Sequence, residues 1–268
     1  MTVAAPTARG VGELLRDWRR RRRLSQLDVS LDAAVSARHL SFVETGRARP
    51  SRELVLHLAD FLDVPLRDRN ALLLAAGYAP AYGETPLDAE AMAPVRDALD
   101  AILQGHAPYP AVIVDRRWDL VTANAPALAI LGEGVAPELL APPANAMRVC
   151  LHPDGLAPRI RNRGQYGEHL VDRLARQAAI TGDPEAVALL EELRGYAGDA
   201  GAHAPADDGP AGQLVVPLVL ESLGAELRLF STLATFGTAL DVTIAELAIE
   251  SFFPADAETA ATLRDRFG

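Results

Sequence analysis

The chain has no lysine, a single cysteine, few aromatic residues and no long apolar run, and each shortage removes a class of explanation. Without lysine there is no amine for a Schiff base. Every fixed positive side-chain charge is instead an arginine, a planar fork that meets a phosphate or a guanine edge with two hydrogen bonds at once. Cys150 alone forms no intrachain disulfide and no multi-thiolate metal site, which fits a reducing compartment and reads as a small buried hydrophobe. No stretch reaches the roughly 18 apolar residues of a membrane span. The start, "MTVAAPTARGVGELL", lacks the charged opening and apolar core of a secretory signal. A cytoplasmic protein with no membrane partner is expected. Gly-x-Ser-x-Gly, phosphate-loop and His-Glu-x-x-His patterns are also missing, so the sequence offers no catalytic residue, no metal site and no required cofactor.

What is present is 268 residues, 49% hydrophobic and 23% charged, enough for one large or two ordinary domains with a real core. A net charge of −10 argues at first against nucleic acid. The charge is uneven, however: residues 1 to 80 hold 13 Arg against 9 acids, and residues 81 to 268 hold 13 Arg against 27. The amino-terminal part is basic and the rest strongly acidic, which points to two jobs in one chain.

The first 80 residues read as five short helices. Val11, Leu14, Leu15 and Trp18 form one apolar stripe, closed by the arginines at 19 to 23 where cations suit the helix end. Ser25, with Asp28 three residues on, caps a second helix; Ser36 caps a third, which Gly46 ends; Pro50 and Ser51 open a fourth, and a fifth stops at Gly77. "YAPAYGETP" at 78 to 86 reads as a boundary, followed by a connecting helix over Met92 to Gln104. Beyond it the period changes. "YPAVIVDRRWDLVTAN" reads as two strands around a turn at Asp115 to Arg117, and "APALAILG" as a helix. A long helix carries Leu170, Leu174 and Ala178, and "DAGAHAPADDGPAG" at 199 to 212 reads as a mobile loop. Strands return in "LVVPLVLES", "ELRLFSTLATF" and "DVTIAELAIESFF" before a closing helix from about Asp256. The division expected is 1–80, a helical DNA-binding domain; 81–105, a linker and connecting helix; and 106–268, a ligand-binding domain.

On a helical wheel, Ala37 to Thr45 places Leu40 and Val43 together and Arg38, Ser41, Phe42 and Thr45 opposite. Two helices joined by a tight turn, the second with that polar face, are the geometry that lays a recognition helix in a major groove. Arg38 can take guanine O6 and N7 together, and Phe42 or Ala37 can touch a thymine methyl, contacts that discriminate by about 1 to 3 kcal/mol each. Ser36 and Ser41 belong to the same surface; Gln26, which opens the preceding helix, can meet phosphate with its side chain and free backbone amides, and Arg47 and Arg49, flanking the exit turn, suit the same task. The bland alternative is that Arg38 and Phe42, four residues apart, simply stack on one another.

"LSQLDVSLDAAVSARHLSFVETGRARPS" at 24 to 51 resembles the helix-turn-helix of lambda-repressor-like, Xre-type regulators, in which a Gln starts the second helix and a Glu-x-Gly-x-x-x-Pro run closes the third; here these are Gln26 and Glu44 to Pro50. Ala34 departs from the glycine usual in that turn, and if a positive φ is needed it costs on the order of 1 kcal/mol. "ALLLAAGYAPAY", "LHPDGLAPRI", "TGDPEAVALLEEL", "STLATFGTALDVT" and "ESFFPAD" extend the likeness to the MmyB-like regulators over nearly all of residues 10 to 268. The resemblance implies an α+β protein: an all-α Xre-type domain followed by a PAS-like α/β sensor domain with an antiparallel sheet. It also implies a fatty acid or similar apolar ligand, with double-stranded operator DNA as the other partner.

The apolar strand faces supply candidate ligand contacts in Val216, Leu218, Leu229 and Leu233, with Leu128 from a covering helix and Arg159 to pair an acyl carboxylate. Two other readings remain open, a helix-turn-helix used as a protein-interaction module and a haem-binding PAS sensor with His169 as axial ligand. His152 in "HPDG" sits in an ordinary turn sequence. A homodimer is expected, because one recognition helix reads only a few base pairs.

Overall fold

The computed structural model describes residues 9–198 and 215–268, so the polar stretch at 199 to 212 lies outside the described residues. The chain divides into two compact units, one running to Thr85 and including Ala239–Ala245, the other comprising Pro86–Thr238 and Glu246–Gly268.

The first unit begins with α1 (Val11–Arg21), α2 (Gln26–Asp32), α3 (Ala37–Glu44), α4 (Arg52–Phe61) and α5 (Leu66–Ala75). Each break has a local cause. Ser25 and Asp28 form a reciprocal capping box on α2, Ser36 accepts from His39 N to open α3, and Ser51 accepts from Leu54 N to open α4. Leu15, Trp18, Val29, Leu40, Val43, Val55, Leu58, Leu72 and Leu73 then close a single core. Helices α1 and α3 approach so tightly that a Cβ on Gly12 would stand 2.1 Å from the Val43 carbonyl oxygen, so only glycine fits there. In the turn between α2 and α3, Ala34 adopts φ +53°. The turn therefore keeps its left-handed residue without the glycine that suits it.

The second unit begins with α6 (Ala93–Gly105), then β1 (Ala111–Val114), β2 (Leu120–Ala123), α7 (Ala125–Leu131), α8 (Pro137–Leu140), α9 (Ala146–Leu151), α10 (Arg163–Thr181) and α11 (Pro184–Gly198). After the undescribed stretch come β3 (Leu218–Ser222) and β4 (Ala225–Thr235), then α12 (Val242–Ala245), which belongs to the first unit, β5 (Ala248–Pro254) and α13 (Ala257–Phe267). The five strands form one antiparallel sheet in the order β2-β1-β5-β4-β3. Strand β1 is buried throughout: Val112 and Val114 face the main core with Leu218, Leu220, Leu227 and Leu229, while Ala111 and Ile113 face Leu99 and Leu103 of α6. Burial on both faces explains why "AVIV" reads as a continuous apolar run rather than an alternating one.

Asn124 holds the hairpin to its neighbours. Its Oδ1 accepts from Ala127 N at 3.2 Å, capping α7, and from Ala111 N at 3.0 Å; its Nδ2 donates to the carbonyls of Leu103 and Tyr109 at 3.2 and 2.8 Å. Helix α11 is an addition to the sequence reading, although its buried Ala186, Leu189, Leu190 and Leu193 carry helical spacing. Strand β3 starts at Leu218, after Pro217, later than the apolar run suggests, because proline has no N–H for a ladder.

Replacing Ala34 by glycine is expected to relieve the left-handed strain and raise the unfolding free energy of the first unit by about 1 kcal/mol. Thermal melts should show a Tm higher by roughly 4–8 °C for a unit of this size.

Candidate nucleic-acid interface and ligand cavity

Helix α3 buries Leu40 and Val43 and leaves Ala37 and Arg38 exposed, with Ser41 and Phe42 half-buried beside them. The Arg38 guanidinium lies 5.4 Å from the centroid of the Phe42 ring, so the pair forms one apolar and cationic patch. What orients this face is the buried Glu44, 2% exposed. Arg19 of α1 grips its carboxylate with Nε to Oε1 at 2.7 Å and Nη2 to Oε2 at 2.8 Å, and Gln26 of α2 adds Nε2 to Oε2 at 2.8 Å. Arg16 donates to the Glu44 carbonyl at 2.7 Å. Burial pushes the Glu44 carboxyl up, but the hydrogen bonds from Arg19 and Gln26 and the charges of Arg19 and Arg16 outweigh it and hold the group below the usual carboxylate range.

Three expected DNA contacts change character. The Gln26 amide faces inward to Glu44 and acts first as an anchor between α2 and α3. The Ser36 hydroxyl accepts from His39 N and is a helix cap. Arg49 donates Nε and Nη2 to the Ala76 carbonyl at 3.1 and 2.8 Å and lies over Tyr78, fastening the exit loop to the end of α5. It is exposed enough to approach DNA, yet its first job is structural. Arg47 is exposed and makes no hydrogen bond or ion pair among the described residues. Arg22, just past the end of α1, is engaged within the fold and donates to the carbonyls of Leu62 and Asp63 at 2.7 and 2.6 Å.

In the second unit a cavity of about 80 Å³ lies between the sheet and the helices α7, α9 and α10. Leu218 and Leu229 line it. Four other candidates do not. Leu128 is 54% exposed because Ala127, Ile130 and Leu131 are the residues α7 turns inward, and Leu233 is 46% exposed because β4 runs on beyond its cover. Val216, just before β3, packs at the edge of the core without reaching the cavity. Arg159 is tied to the Ile130 carbonyl at 3.0 Å and to Glu133 at 3.2 Å and does not line the cavity. Of its neighbours, Arg161 pairs with Glu221 and Arg163 donates to the Tyr196 carbonyl at 3.1 Å.

The walls that strand-face reasoning missed include Trp118, Met147, Tyr166 and Glu250. Only the "VDRRWDL" hairpin offered a sequence signal, through a tryptophan in a turn. Cys150 also lines the cavity; burial pushes its thiol up to about 12, so it stays protonated and acts as a hydrophobe. His169 stacks on Tyr166 with ring centroids 6.4 Å apart. Burial, followed by the charges of Arg173 and Arg176, keeps its pKa low. The His152 ring nitrogen Nδ1 accepts from Asp154 N at 3.0 Å, as its turn sequence suggests. Among the described residues no cluster of His, Cys, Asp or Glu could hold a metal, and no helix is long and apolar enough to cross a membrane.

Residues 95–265 match the family model of the MmyB-like transcription regulator ligand binding domain, which covers most of the chain. The chain belongs to that family. Residues 11–72 match the model of a helix-turn-helix domain, in the same order as the two units. No curated protein matches the chain. This MmyB-like regulator thus joins a helix-turn-helix DNA-binding domain to the ligand-binding domain of a transcription-regulator family.

Glu44→Gln should lower the stability of the first unit by about 3 kcal/mol, because Arg19 is left partly buried without a countercharge. Since the folded carboxyl titrates below its unfolded value, its contribution is complete above about pH 5 and is lost as the pH falls through the depressed folded value. Circular dichroism of wild type and variant against pH should converge in acid. Arg38→Ala should relax base preference, and Arg47→Ala should weaken operator and scrambled DNA alike. Arg49→Ala should lower the Tm as well as DNA affinity. Equal loss on both DNAs for Arg38→Ala would remove α3 as the base reader.

Proposed function

We propose that this MmyB-like regulator is a cytoplasmic homodimer that reads a double-stranded operator through Ala37, Arg38, Ser41 and Phe42 of α3 and responds to an apolar chain molecule of the fatty-acyl type. One observation carries the ligand half of this reading: a cavity lined almost wholly by apolar side chains lies under a five-stranded antiparallel sheet whose strand order, 2-1-5-4-3, suits a PAS-like sensor. Each buried methylene of a chain would gain about 0.8 kcal/mol there.

At about 80 Å³ the cavity is smaller than the roughly 150 Å³ space that admits benzene in an engineered apolar core. A medium-length chain therefore enters only by moving the surrounding helices and strands, which gives the ligand unequal affinity for two arrangements. That inequality is the condition for any ligand to shift an equilibrium.

Covalent geometry supplies a route from cavity to DNA. Strand β5 contributes Glu250 and Phe252 to the cavity, and the segment leading into it, Ala239–Ala245, is part of the first unit. There Asp241 accepts from Thr85 N and Oγ1 at 3.1 and 2.8 Å, while Val242 N donates to the Gly83 carbonyl at 2.8 Å. A shift of β5 pulls on this segment directly.

A medium-chain fatty acid or its amide is expected to raise the Tm of the second unit and to change operator affinity by about fivefold or more. Asp241→Ala should keep the thermal stabilisation and lose most of the change in operator affinity. Stabilisation with unaltered operator affinity in the wild type would leave a ligand-binding protein and end the claim of ligand gating. The dimer is checked by light scattering with and without DNA, and half-sites about 10 bp or a multiple apart are expected.

A further inference from the structure

The cavity is apolar except at one place, and that place is chemically particular. Glu250 projects from β5 with its side chain 9% exposed and lines the cavity. Its Oε1 accepts from Arg173 Nη1 at 2.9 Å and from Ser231 Oγ at 2.8 Å. Oε2 accepts from none of the described residues. On the other side of the ion pair, the Arg173 guanidinium lies 4.1 Å from the centroid of the Trp118 ring, and its Nη2 is buried without a hydrogen-bond partner. The Tyr166 hydroxyl and the Cys150 thiol border the same region, and neither donates to a described residue. Of this pair only Glu250 lines the cavity, so the polar groups within a ligand's reach are its carboxylate, as an acceptor, and the Tyr166 hydroxyl, as a donor.

We infer that the end of the ligand lying against Glu250 is a neutral group that both donates and accepts a hydrogen bond, a primary amide or an alcohol, and not an ionised carboxylate. The inference rests on the reading of the cavity as the site of a chain molecule and names the chemistry of that molecule's polar end. A primary amide gives its N–H to the Glu250 carboxylate and offers its carbonyl to the Tyr166 hydroxyl, the two polar groups that line this end of the cavity. An alcohol does the same with one oxygen. An ionised carboxylate satisfies only the donor side and stands against the Glu250 carboxylate where little water intervenes, a like-charge contact that is strongly disfavoured. Unmade hydrogen bonds at buried groups cost more than made ones gain, so the discrimination comes from the ligand that leaves vacancies.

Octanamide, 1-octanol and octanoate share one chain and bury the same methylenes, so differences among them report the polar end alone. Isothermal titration of each into the full-length protein at about pH 8, where octanoate is ionised, should find the amide and the alcohol bound about tenfold or more tighter than octanoate. Glu250→Gln keeps the shape but removes the charge and leaves Arg173 without its countercharge. In that variant octanoate should gain about tenfold and the preference should vanish. If the variant does not fold, the wild-type series decides by itself. Octanoate binding the wild type as tightly as the amide, or more tightly, overturns this inference and leaves the cavity reading intact. Failure of all three to bind overturns both.

Discussion

A carboxylate placed among apolar side chains costs several kcal/mol to desolvate, and Glu44 is tolerated only because Arg19 meets both its oxygens at once. This bidentate grip, with Gln26 added from α2, joins three helices at a single group. On the outward side of α3, the exposed Arg38 lies over the half-buried Phe42 ring. Their direction is set from behind, by Glu44 and by the contact of α1 with α3 that Gly12 permits. Much of the basic character of the amino-terminal region serves this interior. Arg16, Arg19, Arg22 and Arg49 hold carbonyls or Glu44, which leaves Arg38 and Arg47 as the freer cations of the recognition surface.

In the second unit the organising constraint is a five-stranded sheet whose central strands must be covered on both faces. Helix α6 covers one side of β1 and β5 through Leu99 and Leu103. The other side is covered by short helices and α10, which leave an apolar gap over Leu218 and Leu229. Strand β5 sits between β1 and β4, lines that gap, and is preceded in the chain by a segment belonging to the helix-turn-helix unit. The two units therefore share a continuous stretch of backbone at this point.

Much of this was legible beforehand because it is local. Serine caps at 25, 36 and 51, the polar face of α3 and the hairpin around Asp115 each depend on residues a few positions apart. The errors share one cause. Leu128 and Leu233 are apolar residues on elements placed correctly, but whether they face the gap depends on which turn of α7 packs inward and on where the cover over β4 stops. Arg159 and Arg49 read as free cations because a carbonyl partner many residues away leaves no mark in the pattern.

The sequence by itself determined the order of the elements, the division of charge between a basic and an acidic region, and the side of α3 that faces outward, since periodicity and capping act over a single helical turn. Only the tertiary structure decided which arginines are engaged within the fold, that Glu44 is a buried hub, and that Glu250, which lines the cavity, pairs with Arg173. Residues 173 and 250 lie far apart in the chain, and a charge pair of that kind is chosen by desolvation and distance, quantities that exist only once the strand and the helix are packed.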